Sequence, residues 1–565
     1  LLSLAALPGL LSLARAIPTL RPASPPPLLA LYLLLTLGMG LTIALLPPTD
    51  WDGLFYHLTG PKLYLSAGRI APGVDIPHLN FPALLEMLFL LAMAIRGDVT
   101  AKLVHFGFSL LLAGLVYRMA RRHLRLKNGW LAVAFLFSMP MVMTLAGWAY
   151  NDLALAFFEV AALDALLRWR SEPAERRWLT LSGVLCGMAM SLKYTSVVAV
   201  VALGLLLLGY ALRRRAPLRQ ITGDALRFAF PALLVSSPWY IKNWLFTGNP
   251  VYPFLFGGRY WDSFRAAAYS GAGTGTGFDL PVLLSLPYQL TLGLHDANYI
   301  DGRSGPLFLA FLPLLLLYGL LRYRRDVHPP ALGGMLWFAL AQYLFWTAGV
   351  IASAGLWQSR LLLPAFVVLC PSLAWLLDDL HHLAHPQFSL RRFLTLFIGL
   401  VLALGLIDQT FNNQIQSRSG WLYYRPWSHL LGVESRADYL TRRLGAHYTA
   451  MRRLNAELPP DAVVAFLWEP RSYYCRLDCR PDSILDEYGH LQYRYGRDAA
   501  AIARAWRARG VTHVLVFRAG LDFLLEETDP SSPVRPDPAL LRRLQAGYLT
   551  PVFDEAGAYQ VYRLR

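Results

Sequence analysis

The chain has 565 residues, of which 55% are hydrophobic and 16% are charged, and its 52 Lys and Arg exceed its 36 Asp and Glu by 16. A soluble protein carries about 25% charged residues, so the composition excludes a soluble nucleic-acid binder despite the positive charge. The apolar residues occur in blocks of roughly 17–22, long enough to cross a hydrocarbon core of about 30 Å. The sequence therefore predicts an α-helical polytopic membrane protein.

Eleven apolar blocks are predicted to span the membrane. They lie at about 28–46, 103–120, 129–147, 153–168, 178–192, 194–212, 226–246, 306–321, 331–351, 360–377 and 393–410. A shorter block at 81–95 carries Glu86 and is interpreted as an interfacial or re-entrant helix. If it crossed, every later basic cluster would change sides and contradict the arginines of the leader, because Lys and Arg collect in cytoplasmic loops. We therefore expect a cell (inner or plasma) membrane protein with a cytoplasmic N-terminus.

This topology predicts three regions. They are a cytoplasmic leader at 1–27, a membrane module at 28–410 and a C-terminal region at 411–565. The topology places the C-terminal region on the outer face. Two loops, at 47–102 and 247–305, and a short turn at 147–152 lie on the same face. The mixed, charged composition of the C-terminal region is typical of a small extracytoplasmic α/β domain. Strands are predicted at 461–468, 512–517 and 558–565, and a helix is predicted at 498–509.

The four cysteines are too few for a disulfide scaffold. Cys186 and Cys370 lie in apolar spans, where a thiol most simply packs as a small hydrophobe. Cys475 and Cys479 lie close together in the region predicted to be outside, where oxidising conditions favour disulfides. The sequence leaves open whether this pair is bonded or free.

Several carboxylates stand at or near the predicted outer surface. Asp50 and Asp52 follow the first span, Asp152 opens the fourth, and Glu86 lies within an apolar segment. A carboxylate at such a place can accept a proton from a nucleophile, or hold a divalent metal in the case of Asp50 and Asp52. The plainer alternative for the aspartates, with Asn151 beside Asp152, is helix capping. Glu86 requires a partner or a function, because a buried charge near lipid is costly.

Two cations lie on the outer side against the general charge rule. Lys193 precedes Tyr194 between two spans, and Arg360 opens another span. A guanidinium suits bidentate phosphate recognition, whereas Lys193 either binds a phosphate or anchors the helix at the interface. The remaining candidate substrate-binding residues are Tyr56, His57 and Lys62 in the first outer loop and His295 in the second. Within the second loop, a Gly-rich stretch at 271–277 lacks the ending of a nucleotide P-loop.

The order of five sequence stretches resembles the GT-C class of integral-membrane glycosyltransferases. The similar branch contains the bacterial protein O-mannosyltransferases and the lipid A aminoarabinose transferases. The stretches are D-W-D-G-L-F-Y-H-L-T-G-P-K-L-Y, A-Y-N-D-L-A-L-A-F-F, S-L-K-Y-T-S, P-W-Y-I-K-N-W-L-F-T-G-N-P-V-Y-P and S-R-L-L-L-P, which cover most of residues 45–365. The C-terminal P-R-S-Y-Y and G-V-T-H-V-L-V are also similar to tails of this branch.

The resemblance implies a polyprenyl-phosphate-linked sugar donor, used on the outer face to glycosylate a glycan, lipid or protein with inversion. It implies that Asp52, or next Asp50, is the catalytic base and that Asp152 is the second acidic site. Lys193 and Arg360 are then candidates for phosphate contacts. In the first loop, the Lys-Pro-Pro stretch of the aminoarabinose branch is replaced by residues 79–86. The sequence does not specify the donor sugar, the acceptor or a metal requirement.

The sequence leaves two other functions as alternatives to a glycosyltransferase. A transporter or flippase of polyprenyl-linked glycans would place charges at mid-membrane in broken helices and repeated halves. Here the acids instead collect at one surface, and no internal repeat is present. A sensor or scaffold would require only an anchor, for which eleven spans are excessive.

Overall fold

The structure is a computed structural model. It describes residues 24–270, 275, 277–292, 302–324, 328–353, 356–380, 388–411, 420–527 and 535–565. All eleven apolar segments predicted to span the membrane are helical. In chain order the first part contains α1 (Pro27–Ala44), α2 (Thr59–Ala67), α3 (Leu84–Arg96), α4 (Asp98–His123), α5 (Trp130–Phe137), α6 (Pro140–Ala146), α7 (Asp152–Ser171), α8 (Arg177–Met190), α9 (Val197–Arg213), α10 (Leu218–Thr247), α11 (Ser263–Ser270), α12 (Leu280–Leu292), α13 (Pro306–Arg324), α14 (Leu332–Ala352), α15 (Leu363–Leu380) and α16 (Leu390–Phe411).

Six helical segments in the described part of the chain are long and apolar enough to cross a membrane by length and composition. They are Pro27–Ala44, Asp98–His123, Tyr194–Arg213, Leu332–Ala352, Ser359–Leu380 and Leu390–Phe411. The protein is therefore a multi-pass membrane protein of predominantly helical structure, as predicted. The full count of eleven spans and the orientation of the termini stay predictions.

The predicted single block at 129–147 is two helices, α5 and α6. The break falls before Pro140, which has no N–H to donate and disfavours helical backbone in the preceding residue. Met139 accordingly has φ −78° and ψ 115°, an extended conformation. The predicted block is therefore helical in two pieces, and both lie within its bounds.

The short helix α3 corresponds to the predicted non-crossing block. Its 13 residues give a length of about 20 Å, less than the roughly 30 Å of a hydrocarbon core. The helix packs against α4, and Gly97 joins the two helices with a positive φ of 89°. Leu91 and Ile95 are exposed on its outer face, whereas Glu86 is buried.

The two ends of the helix bundle differ in chemical character. Asp152 begins α7, Lys193 lies just before α9, and both belong to one end. Arg170 and Arg213 lie at the opposite ends of these two helices. A 20-residue helix is about 30 Å long, so the candidate site residues and the basic clusters are separated by the thickness of the bundle, as the predicted topology requires.

The C-terminal region is a small α/β domain with a five-stranded sheet. Its helices are α17 (Trp421–Tyr424), α18 (Pro426–Leu430), α19 (Arg436–Leu444), α20 (Ala446–Glu457), α21 (Glu487–Tyr495), α22 (Ala499–Ala508), α23 (Arg518–Glu527) and α24 (Pro538–Tyr548), and its strands are β1 (Val463–Leu467), β2 (Asp478–Arg480), β3 (His513–Phe517), β4 (Leu549–Glu555) and β5 (Tyr559–Leu564). The strand order is β2-β1-β3-β5-β4, with β1 parallel to β2 and β3 and with β5 antiparallel to β3 and β4.

The predicted strands of this domain are β1, β3 and β5, and the predicted helix is α22. The strands β2 and β4 were not predicted. Cys479, in the middle of β2, forms a disulfide with Cys475, which decides between the two alternatives left open by the sequence. Apolar residues of β1 and β3 alternate between two clusters on opposite faces of the sheet, so helices cover both faces.

Candidate active site

A cavity of about 330 Å³ lies at the end of the bundle that carries the predicted site residues. Its walls come from the first outer loop, the turn before α7, the segment before α9, and the segment between α14 and α15. The lining residues are Asp52, Phe55, Tyr56, Gly60, Pro61, Tyr64, His78, Leu79, Phe81, Pro82, Ala83, Glu86, Asn151, Leu192, Lys193, Tyr194, Thr195, Phe254, Tyr269, Leu356, Gln358, Arg360 and Leu361. Segments far apart in sequence thus form one concave site that combines charged, polar and aromatic side chains.

Asp52 and Arg360 form an ion pair in the cavity wall. The Nη2 atom of Arg360 lies 2.8 Å from Oδ2 of Asp52, and the same guanidinium donates to Oε1 of Gln358 from Nη2 at 3.0 Å and from Nε at 3.2 Å. It also stands over the ring of Tyr150 at 4.9 Å. Burial raises the pKa of Asp52, but Arg360 and His57 outweigh burial and hold that pKa below its ordinary value. The carboxylate is therefore ionised at neutral pH.

Asp152 and Lys193 form a second ion pair beside the same cavity. Nζ of Lys193 lies 3.1 Å from Oδ1 of Asp152, whose side chain is 2% exposed. Neither Asn151 nor Asp152 caps α7 with its side chain, so the capping alternative does not account for this aspartate. The turn is held instead by His105, whose ring accepts from the backbone N–H of Leu153 at 3.2 Å.

Glu86 has the partner that its buried position requires. Its Oε1 lies 2.6 Å from Nδ1 of His57 and accepts from Nδ2 of Asn151 at 3.3 Å. His57 is 1% exposed. This contact joins α3 to the short π-helical turn Gly53–His57 that follows Asp52, so it fixes the segment that carries the carboxylate.

Asp50 lies behind the cavity wall and is 4% exposed. Its carboxylate packs directly over Gly53, where any Cβ would overlap it. Burial raises the pKa of Asp50 in spite of Lys102, which donates from Nζ to the carbonyls of Ile43 and Leu46 at the end of α1, each at 2.8 Å. Asp50 is therefore placed to support the loop that presents Asp52.

A metal role for Asp50 and Asp52 stays a prediction. Within the part of the chain that the structure describes, no group of three or more His, Cys, Asp or Glu side chains is arranged to hold a metal ion. The nearest charged partner of Asp52 is Arg360, and neither aspartate shares a ligand set with a third such side chain.

Aromatic side chains form the remaining wall of the cavity, and most of them were not predicted. Tyr56 stacks on His78 with ring centroids 5.0 Å apart, and Phe81 contacts Tyr194 at 5.3 Å. Burial lowers the pKa of His78 to about 4, so this ring is neutral at pH 7. Tyr194 was predicted, and its hydroxyl accepts from Nδ2 of Asn243 at 2.7 Å. Flat rings of this kind suit the apolar face of a sugar.

Two of the described candidate substrate-binding residues, His57 and Lys62, do not line the cavity. His57 instead contacts Glu86. Lys62 was expected to bind substrate, but its Nζ donates to the backbone carbonyls of Tyr473 and Cys475 in the C-terminal domain. The structure places Lys62 outside this cavity, and its substrate-binding role stays a prediction. Its partners are backbone groups more than 400 residues away along the chain, and such groups carry no sequence signal. His295 lies outside the described residues.

The C-terminal domain holds the segment that carries Asp52 at two further points. The hydroxyl of Tyr474 donates to the carbonyl of Pro48 at 2.7 Å, and the Arg471 guanidinium stands 4.1 Å over the ring of Trp51. Arg471 is itself held by the fully buried carboxylate of Glu469, with two N–H···O contacts of 2.8 Å. The domain therefore braces the loop on both sides of Asp50.

Comparisons with known proteins agree with this architecture. The family model described as dolichyl-phosphate-mannose-protein mannosyltransferase matches residues 95–240. The crystal structure of ArnT from Cupriavidus metallidurans bound to undecaprenyl phosphate superposes with a TM-score of 0.60 at 16% identity, covering 94% of this chain and 97% of that one. The chain has the GT-C fold. No curated protein sequence matches it.

A second solved structure with the GT-C fold is more distant. It is the archaeal oligosaccharyltransferase AglB from Archaeoglobus fulgidus, in complex with an inhibitory peptide and a dolichol-phosphate. It has a TM-score of 0.54 and 12% identity and covers 94% of this chain and 74% of that one. The resemblance predicted from the five sequence stretches is thereby confirmed at the level of the fold.

Proposed function

We propose that the protein transfers a sugar from a polyprenyl-phosphate-linked donor to a hydroxyl or amine acceptor on the outer face of the membrane, with inversion at the anomeric carbon. The observation that carries the proposal is the Asp52–Arg360 ion pair in a cavity that also contains Lys193. The Asp52 carboxylate beside two cations matches the needs of base-assisted attack on a phosphate-activated sugar. The lipid phosphates in the ArnT and AglB structures support this donor class.

The proposed step uses Asp52 as the general base. The acceptor oxygen or nitrogen attacks the anomeric carbon, and its proton passes to a carboxylate oxygen of Asp52. The bond between the anomeric carbon and the phosphate oxygen breaks on the opposite face of the sugar, which inverts the configuration. The bonding electrons leave with the polyprenyl phosphate, and Arg360 and Lys193 stabilise the negative charge that develops there.

Binding of the sugar donor can strengthen Asp52 as a base through the Asp52–Arg360 ion pair. In the structure Arg360 holds the pKa of Asp52 down. An incoming phosphate competes for the same guanidinium, because Arg pairs with phosphate and carboxylate oxygens in the same geometry. When Arg360 turns to the phosphate, its lowering of the Asp52 pKa weakens. The effect of burial then dominates, and the pKa of Asp52 rises. The carboxylate therefore becomes a stronger base when the donor is in place.

The aromatic wall is proposed to bind the sugar. Tyr56, His78 and Phe81 surround the space beside Asp52, and ring faces bind the C–H face of a sugar without adding charge. The acceptor then approaches from the opening of the cavity. Glycans, lipids and proteins all present suitable hydroxyl or amine groups.

A transfer assay tests the proposal. Purified protein is supplied with radiolabelled sugars on a panel of polyprenyl-phosphate donors, with native membrane extract as the acceptor source. We expect label incorporation with one donor and a loss of about 10²- to 10⁴-fold for Asp52→Asn, the range for removal of a general base. Asp75→Asn is the matched control, since Asp75 lies in the same loop and does not line the described cavity.

Two outcomes would contradict the proposal. Equal transfer by wild type and Asp52→Asn would show that another group is the base. No transfer from any donor, with both proteins folded, would favour the alternative of a transporter or flippase for polyprenyl-linked glycans.

A further inference from the structure

A second polar pocket lies at the end of the bundle opposite the candidate active site. It has a volume of about 360 Å³ and lies where α7 and α9 end and α14 begins. The lining residues are Arg170, Ser171, Tyr210, Arg213, Arg214 and Pro330. Three arginines thus share one small pocket, and no carboxylate is present among its described lining residues.

Neutral groups hold two of these guanidinium groups in place. Arg170 donates to the carbonyl of Pro330 and stands 4.6 Å over the ring of Tyr210. Arg214 donates from Nη2 to the carbonyl of Arg170 at 2.6 Å and stands 5.4 Å over the ring of Trp169. These contacts fix the cations without neutralising them, so their mutual repulsion is left unopposed in the described part of the chain.

Arg213 adds a third positive charge at the rim. It is exposed and forms no ion pair with any residue that the structure describes. Like charges confined to one pocket destabilise it unless an anion binds between them. The pocket therefore has the charge of an anion site.

A buried hydroxyl points to the same ligand. Tyr210 is 6% exposed, and its hydroxyl can accept from the neighbouring Arg170 guanidinium, but the O–H itself has no acceptor in the described structure. The hydroxyl lies against the first turn of α14, where a Cβ on Gly334 would come within 2.5 Å of it. The N-terminus of this 21-residue helix carries a partial positive charge. An anion with several acceptor oxygens would satisfy both the hydroxyl and the arginines.

An apolar stripe leads from the pocket along the outside of α9. Leu205, Leu208 and Leu212 are exposed by 49%, 41% and 61%, and their spacing places them on one helix face. The stripe ends next to Arg213. A free phosphate would not use this surface, whereas the acyl chains of a lipid would cover it.

We propose that this pocket binds the phosphate group of an anionic membrane phospholipid, whose acyl chains lie along the leucine stripe of α9. Basic pockets between helices on the cytoplasmic side are suited to such headgroups. The site is separate from the candidate active site and does not depend on the proposed function.

Native mass spectrometry of the full chain in detergent tests this site without any transfer reaction. Dioleoylphosphatidylglycerol is titrated against dioleoylphosphatidylcholine and inorganic phosphate. We expect one phosphatidylglycerol to be retained by the wild type, and about tenfold weaker retention by Arg213→Gln, because one charge-assisted hydrogen bond is lost. Tyr210→Phe is expected to weaken retention to a smaller extent. Arg121→Gln is the matched control, since Arg121 is exposed at the same end but does not line the pocket.

The outcomes separate the sources of the anion. Selective retention of phosphatidylglycerol that falls in Arg213→Gln and Tyr210→Phe, but not in Arg121→Gln, supports the proposal. Equal retention by all variants overturns it. Competition by inorganic phosphate at the same concentration as the lipid overturns the lipid assignment. If Arg213→Gln does not fold, Tyr210→Phe decides, because it keeps the ring and every charge.

Discussion

The ion pair between Arg360 and Asp52 predicts how the pH dependence of transfer changes when the cation is removed. Burial raises the pKa of Asp52, and Arg360 is the largest of the groups that lower it. In Arg360→Gln the positive charge that lowers the pKa of Asp52 is gone, so burial raises this pKa above its value in the wild type. A base with a raised pKa becomes protonated at a higher pH as the solution is acidified. The acid limb of kcat/KM therefore moves to higher pH in Arg360→Gln.

The free-energy cost of removing Arg360 follows from the burial of both partners of the ion pair. The side chains of Arg360 and Asp52 are 9% and 16% exposed, so little solvent screens the pair. Breaking a fully buried pair costs about 3–5 kcal/mol, and the open cavity beside Asp52 favours the lower end of that range. At the plateau of the pH profile, the loss of one charge-assisted contact to the donor phosphate lowers kcat/KM by about ten- to a hundredfold.

The assay is kcat/KM measured across pH with the donor identified in the transfer experiment. Arg360→Lys is the matched control, since it keeps the positive charge and should leave the acid limb near its wild-type position. Its plateau should still fall, because an ammonium group cannot replace the bidentate guanidinium. If the acid limbs of Arg360→Gln and the wild type coincide, then Asp52 is not the titrating base, and the proposed exchange of partners at Arg360 is refuted.

Two further predictions concern the support beneath the loop, and both are measured by thermal unfolding of the purified protein. Gly53→Ala should destabilise it by about 1–3 kcal/mol, since the new Cβ overlaps the Asp50 carboxylate, whereas Gly107→Ala has open space and should not. Lys102→Met should cost about 1–3 kcal/mol, since the carbonyls of Ile43 and Leu46 lose their buried donor, against less than about 0.5 kcal/mol for the exposed Lys127→Met. If Gly53→Ala unfolds at the same temperature as Gly107→Ala, or Lys102→Met at the same temperature as Lys127→Met, the structural role assigned to Gly53 or to Lys102 is contradicted.

The helical membrane fold was predictable because hydrophobic length is a local signal. Each apolar block contains its own evidence, and the structure has helix at every one. Asp52, Asp152, Lys193 and Arg360 were also recognisable one at a time, since charge next to an apolar span is costly and requires a reason. The family resemblance of the surrounding stretches then supplied their order.

The pairing of those residues was not predictable. Asp52 and Arg360 are 308 positions apart, and no periodicity connects them. The aromatic wall of the cavity was not predictable for a different reason. Phe, Trp and Tyr make up 13% of the chain, so Phe55 or Phe81 stands out only after folding places it beside the cavity. The extended residue before Pro140, in contrast, could have been predicted from the proline.

The contacts of Arg471 and Tyr474 with the first loop change what a truncation of the C-terminal domain can measure. Deleting the domain removes the groups that contact Trp51 and Pro48, so the segment that carries Asp52 loses its support together with any surface that selects the acceptor. A shortened protein without activity would then say nothing about acceptor choice. Substitutions on the outward face of the domain, at positions remote from Arg471, are the way to separate those two contributions.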